Sequence, residues 1–118
     1  MQETWRFEIG PKNISLSDGE LVSELLRENK QDLGIFLSYY FRKQGAVAED
    51  PRVLTTIQST APNIGHFELA FRLVYFNACL NIHELESDKM HITFRIDREA
   101  RILEVTGPNW PEREMDEI

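Results

Sequence analysis

Between Phe67 and Thr106 apolar and polar residues alternate regularly enough to predict strand pairing. Phe67, Leu69, Phe71 and Leu73 recur at every second position, and the apolar phase then shifts so that Val74, Phe76, Ala78, Leu80 and Ile82 carry it on. A period of two marks a strand, and a one-residue slip inside it marks a bulge or bend. Met90, Ile92, Phe94 and Ile96 form the apolar side of the next strand, with His91, Thr93, Arg95 and Asp97 on its polar side. Aligning the two apolar faces pairs Ile82 with Ile92 and Leu80 with Phe94, leaves Glu86, Ser87 and Asp88 as the loop, and sets His83 opposite His91. A third strand follows if Phe94 pairs with Val105 and Ile96 with Leu103. The chain then turns at Glu99-Ala100 and Arg95 meets Glu104, an ion pair worth about 0.2–1 kcal/mol.

Upstream, Trp5, Phe7 and Ile9 alternate with Arg6 and Glu8, which predicts a first strand over Thr4 to Ile9 that Gly10-Pro11 ends. Ser17-Asp18-Gly19-Glu20 matches a capping box, so a helix is expected from Asp18. Leu21, Val22, Leu25, Leu26, Leu33, Phe36, Leu37 and Tyr40 fall on one side of a 3.6-residue wheel. They predict one helix of about 25 residues, or two halves if Gly34 breaks it. Ala46 to Arg52 reads as a polar loop containing Pro51, and Val53 to Thr60 as a β-branched strand. The turn residues of Ala61 to Gly65 return the chain antiparallel into the long strand.

The expected fold is therefore α+β, an antiparallel, bent sheet of about five strands curled around one long helix in the order β-α-β-β-β-β. That order resembles the cystatin-like architecture, with the hot-dog-like topology a near alternative. The resemblance implies shape alone, since the turn from Gln58 to Gly65 departs from the Gln-x-Val-x-Gly signature of cystatin inhibitors. Residues 1–118 read as a single domain with an acidic carboxyl tail over 108–118.

The formal net charge of −7 disfavours direct nucleic-acid binding, which requires clustered Lys and Arg, and points to a basic protein partner. One cysteine excludes an internal disulfide, and no basic leader or long apolar run is present, so a cytoplasmic protein without membrane attachment is expected.

Three groups of residues carry candidate chemistry. Glu20, Glu24, Glu28 and Asp32 recur every four residues as a negative stripe, which the tail residues Glu112, Glu114, Asp116 and Glu117 extend. The end of the helix is apolar on nearly all sides, so Ile35, Tyr39 and Phe41 need a second cover, either the Pro-Trp tail or the long loop before Val53, or else a partner or a second subunit. The strand face offers an alternative ligand site of His83, His91, Cys79, Tyr75 and Arg95, with a pocket lined by Phe67, Phe71, Tyr75 and Tyr40. Facing histidines need a third donor to hold a metal, and Cys79 lies about 13 Å along the strand from His83, so no metal site is expected. Cys79 has no oxyanion hole near it, and no catalytic residues and no cofactor are assigned.

The expected function is a small non-catalytic protein-binding module, an inhibitor, antidote or adaptor whose anionic surface mimics DNA phosphates toward a basic partner. The alternatives are a small-molecule binder or small enzyme using a pocket between helix and sheet, and a structural subunit of a homo-oligomer such as a homodimer.

Overall fold

The computed structural model describes residues 2–77 and 82–109, with residues 76, 77 and 82–86 described at the level of the backbone. The elements are β1 (Thr4–Glu8), α1 (Asp18–Glu28), α2 (Lys30–Phe41), β2 (Ala46–Val53), β3 (Gln58–Ala61), β4 (Ile64–Asn77), β5 (Ile82–Asp97) and β6 (Ile102–Thr106). One antiparallel sheet runs in the order β1-β6-β5-β4-β2, with β3 beside the start of β4. The architecture is α+β, a curled sheet covered by two helices.

Its curl follows from what α2 touches. Five flat strands would separate the outermost two by about 19 Å. Yet α2 reaches both: the Ser38 hydroxyl on α2 accepts a hydrogen bond from the Ala48 amide of β2 at 2.9 Å, while Trp5 of β1 packs on Phe36 and Tyr39 with ring centroids 6.0 and 5.9 Å away. A helix about 10 Å wide spans that gap only if the sheet bends around it. Gly34, one turn before Ser38, faces the same strand, and a Cβ there would lie 3.4 Å from the Ala48 carbonyl.

Inside the curl, Leu21, Val22, Leu25, Leu26, Leu33, Phe36 and Leu37 pack against Phe67, Leu69, Phe71, Leu73, Ile92, Phe94, Leu103 and Val105. Each such side chain contributes roughly 1.5–3 kcal/mol through burial.

Several expectations give way here. The helix is interrupted at Asn29 and not at Gly34. Asn29 leaves helical geometry (φ −113°, ψ 34°), and both its backbone amide and its side-chain amide donate to the Leu25 carbonyl at 2.9 Å. A side chain that competes for the carbonyl of the preceding turn favours a cap over a continuing helix. Ser17 does precede the helix, but its hydroxyl donates to the Glu20 carboxylate at 3.0 Å and caps no backbone amide.

The segment expected as a polar loop is strand β2. Ala46 and Ala48 face the core while Val47 and Glu49 face out. Pro51 is tolerated because β2 is an edge strand and its register shifts between Glu49 and Arg52, where Asp50 takes a positive φ of 54°.

The β4–β5 hairpin differs most. β4 does not bulge at Leu73–Val74. It runs straight to Asn77 and pairs continuously with β5, Leu73 opposite Glu86 and Asn77 opposite Ile82. Glu86, Ser87 and Asp88 therefore lie inside a strand. The apolar phase changes because Val74 turns to the other face of the sheet, beside Val47 of β2. The β5–β6 register, Arg95 with Glu104 and Ile96 with Leu103, is as expected from the alternation.

Candidate functional site

The outer face of the sheet carries the alternating polar residues of β4 and β5. The new register puts His83 opposite Phe76 and His91 opposite Glu68, so the two histidines read as facing each other are eight residues apart along one strand. Arg95 lies opposite Ile64 and not Cys79; Cys79 itself falls outside the described residues. Arg95 instead approaches Glu104 at 3.7 Å, and Arg6 of β1 meets the same carboxylate at 2.8 Å. The Tyr75 hydroxyl donates to Gln44 at 3.4 Å, away from the histidines.

His91 has another neighbour, His66 of β4, with ring centroids 5.2 Å apart. Ladder geometry explains this meeting. The Ile96 amide donates to the Asn63 carbonyl at 2.7 Å, which makes every second pair along the hairpin hydrogen-bonded and leaves Glu68–His91 and His66–Thr93 as the close, non-hydrogen-bonded pairs. Right-handed twist then draws diagonal neighbours of such pairs together. His66 and Glu68 were legible as polar residues alternating with Phe67 and Leu69, and only the misplaced hairpin loop hid their meeting with His91.

Three of the residues expected to line a pocket between helix and sheet lie in the core, while a cavity of 210 Å³ opens elsewhere between the helices and the sheet, lined by Leu26, Leu33, Pro51 and Leu69. Phe67, Phe71 and Tyr40 are buried, Phe41 packs on Phe71 at 5.6 Å, and Phe67 on Phe94 at 6.2 Å. Among the described residues no group of three or more His, Cys, Asp and Glu side chains stands ready to hold a metal ion.

The negative stripe is distributed over both helices. Glu20, Glu24 and Glu28 follow one another on α1, and Asp32 opens α2 beyond the break. Glu24 pairs with Arg27 at 2.6 Å. Glu28 pairs with Lys12 at 3.1 Å and accepts from the buried Asn13 amide, and these hydrogen bonds, Lys12 first, hold its carboxyl below the usual range. Asp32 shares an open groove of 710 Å³ with Arg6, Glu8 and Glu28. Glu112, Glu114, Asp116 and Glu117 lie outside the described residues.

On α2, Ile35 and Tyr39 are 44% and 36% exposed, while Phe41, expected beside them, turns into the core. The strip they form sits between the two sheet edges. On the β1 side Tyr39 rests on Trp5 and carries the Arg42 guanidinium 4.7 Å above its ring. On the β2 side Ile35 borders a groove of 470 Å³ with Ser38, Val47, Glu49 and Pro51.

The most completely satisfied polar cluster is one the sequence did not single out. Arg98, in the β5–β6 turn, donates to Asp18, Asn63 and the carbonyls of Ile14 and Leu16. Asp18 in turn accepts from the Asn63 amide and the Ser59 hydroxyl. With four of its five guanidinium N–H groups used inside the protein, Arg98 ties loops together.

Compared with known protein families, characterised proteins and solved structures, the chain matches none. No described helix is long and apolar enough to cross a membrane.

Proposed function

We propose that this protein is a non-catalytic protein-binding module, an inhibitor, antidote or adaptor, that engages a basic protein partner through the exposed strip of α2 and the carboxylates around it. One observation carries the reading. Ile35 and Tyr39, a turn apart and more than a third exposed, lie in the gap between β1 and β2, where the groove beside Ile35 is lined by Glu49, Asp50 and Lys30 and the Arg42 guanidinium covers Tyr39. An apolar centre inside a polar rim is the usual anatomy of an interface, and the net charge of −7 favours a basic partner.

The stripe of Glu20, Glu24, Glu28 and Asp32 supports the same reading at longer range. Its spacing suits mimicry of DNA phosphates at Glu20 and Asp32, whereas Glu24 and Glu28 already hold cations of this chain. Cytoplasmic location, the absence of direct nucleic-acid contact and a possible homodimer belong to this proposal, as does the cystatin-like or hot-dog-like topology, which rests on the order of strand, helices and strands.

The test is affinity capture at graded salt. The reading expects capture of a basic protein that weakens as salt rises and is lost when Glu20 and Asp32 are reversed to Lys. A partner retained unchanged in molar salt and by the reversed variant overturns it. Light scattering that shows an obligate oligomer, dissociated by Ile35→Asp, favours the structural-subunit alternative.

A further inference from the structure

We propose that His66, His91 and Glu68 form a binding site for a divalent transition metal such as Zn2+ or Ni2+ on the open face of the sheet. The inference is independent of the protein-binding reading, since this face lies on the opposite side of the sheet from the helices.

The geometry of the imidazoles carries the argument. A metal bound to a ring nitrogen sits about 2.0–2.1 Å from it and in the ring plane, so it lies roughly 3 Å from the ring centroid. Two imidazoles that subtend a tetrahedral angle at one metal then have centroids about 5 Å apart. His66 and His91 stand at 5.2 Å. That separation is held by the backbone, because both residues belong to consecutive close pairs of one continuous antiparallel ladder. Two ligands on neighbouring strands need no loop to be ordered on binding, which lowers the entropic cost.

Glu68 supplies the third donor. It is the direct partner of His91 in a close pair, where Cα atoms are about 4.5 Å apart, and it lies two residues from His66 on the same face of β4. No three such side chains among the described residues are already placed around a metal ion, so the proposed site requires the Glu68 carboxylate to rotate toward the two rings. No ion pair engages Glu68 among the described residues, so the rotation breaks none. Nitrogen, nitrogen and oxygen donors with open positions left to water are the donor set that suits Zn2+ and Ni2+ and not Ca2+ or Mg2+.

The experiment is isothermal titration of ZnCl2 and, separately, NiCl2 into metal-stripped, tag-free full-length protein carrying Cys79→Ser, which removes the thiol as a competing ligand. Imidazole resonances followed by NMR in the same titration identify the rings. One metal per chain is expected, with the resonances of His66 and His91 shifting together while His83 stays in place. Losing merely a ligand's outer partner costs about 10–100-fold in metal affinity. His66→Ala and His91→Ala should therefore each weaken binding by at least about tenfold, and Glu68→Gln should weaken it as well. All three positions face outward, and circular dichroism checks that the variants stay folded. Affinity unchanged in either alanine variant, affinity unchanged in Glu68→Gln, or no one-to-one binding by the parent protein overturns the proposal.

Discussion

Arg98 and Asp18, eighty residues apart in sequence, meet at 2.8 Å and join the β5–β6 turn to the first turn of α1. Around them Asn63 brings in the β3–β4 turn and the carbonyls of Ile14 and Leu16 bring in the loop after β1. Hydrogen bonds to charged groups contribute about 1.5–3 kcal/mol each where the groups are withdrawn from water. Arg98→Ala and Asp18→Ala should each destabilise the protein by roughly 2–4 kcal/mol, and the double variant should cost clearly less than the sum. Urea unfolding of the four proteins measures this coupling, and additive losses would mean that the pair does not act as a unit.

The same carboxylate makes a prediction about acid. Burial works against the charge on Asp18, yet hydrogen bonds from Arg98, the Asn63 amide and Ser59 outweigh it and hold the pKa below the usual carboxylate range. A carboxyl whose folded pKa is depressed contributes stability that is fully present above its unfolded pKa of about 3.9 and is lost as pH falls through the lower folded value. The stability advantage of the parent protein over Asp18→Asn should therefore be constant near neutrality and shrink only below about pH 4. Unfolding midpoints of both proteins between pH 7 and pH 2 report it, and a difference that is flat to pH 2 would contradict it.

Tyr40 ties the start of β1 to the end of β6, which lie side by side at one end of that antiparallel pair. Its hydroxyl accepts from the Glu3 amide at 2.8 Å and donates to the Pro108 carbonyl at 2.9 Å, and its ring lies so close to Gly107 that a Cβ there would overlap it. Tyr40→Phe should cost roughly 1–3 kcal/mol, for two lost hydrogen bonds and two backbone groups left without a partner. Gly107→Ala should cost at least as much, because the ring has to leave those bonds to make room. Thermal unfolding with the two substitutions alone and together is the check, and near-additive effects would argue against a shared cause.

Gly34 and Gly65 should respond in opposite ways. At Gly65 a Cβ would collide with the Gln58 carbonyl and the Phe94 ring, neither of which can move without breaking the β3–β4 pairing or the core. At Gly34 the nearest atom is the Ala48 carbonyl at 3.4 Å, which a methyl group tolerates. Alanine at 65 is expected to destabilise by more than about 2 kcal/mol. Alanine at 34 is expected to be neutral or to stabilise by up to about 1 kcal/mol through helix propensity.

Much of the sheet was legible in the letters. Where one apolar phase meets one buried face, as from Phe94 to Val105, the register follows to the residue. The β4–β5 hairpin escaped because Val74 is buried on the face opposite Leu73, so apolar residues change sides with no bulge to mark it. β2 escaped because Ala46 and Ala48 bury too little apolar surface to stand out from a loop, and Pro51 read as a breaker where an edge strand tolerates it. The helix break was foreseen at the glycine and occurs at Asn29, whose side chain competes for the Leu25 carbonyl. Of the candidate residues, Ile35, Tyr39 and the stripe could be named from helical spacing alone. The Arg98 cluster and the His66–His91 meeting depend on contacts between distant segments that no local pattern encodes.

The central claim is that the strip of α2 between β1 and β2 is a binding surface for a basic protein. Photo-crosslinking from a benzophenone side chain placed at position 39, in the native cell, tests it most directly. The account predicts one dominant basic protein crosslinked at that position, lost when Ile35→Asp is added although the variant unfolds at the same temperature as its parent. No discrete crosslinked protein, or one retained undiminished with Ile35→Asp, would contradict it.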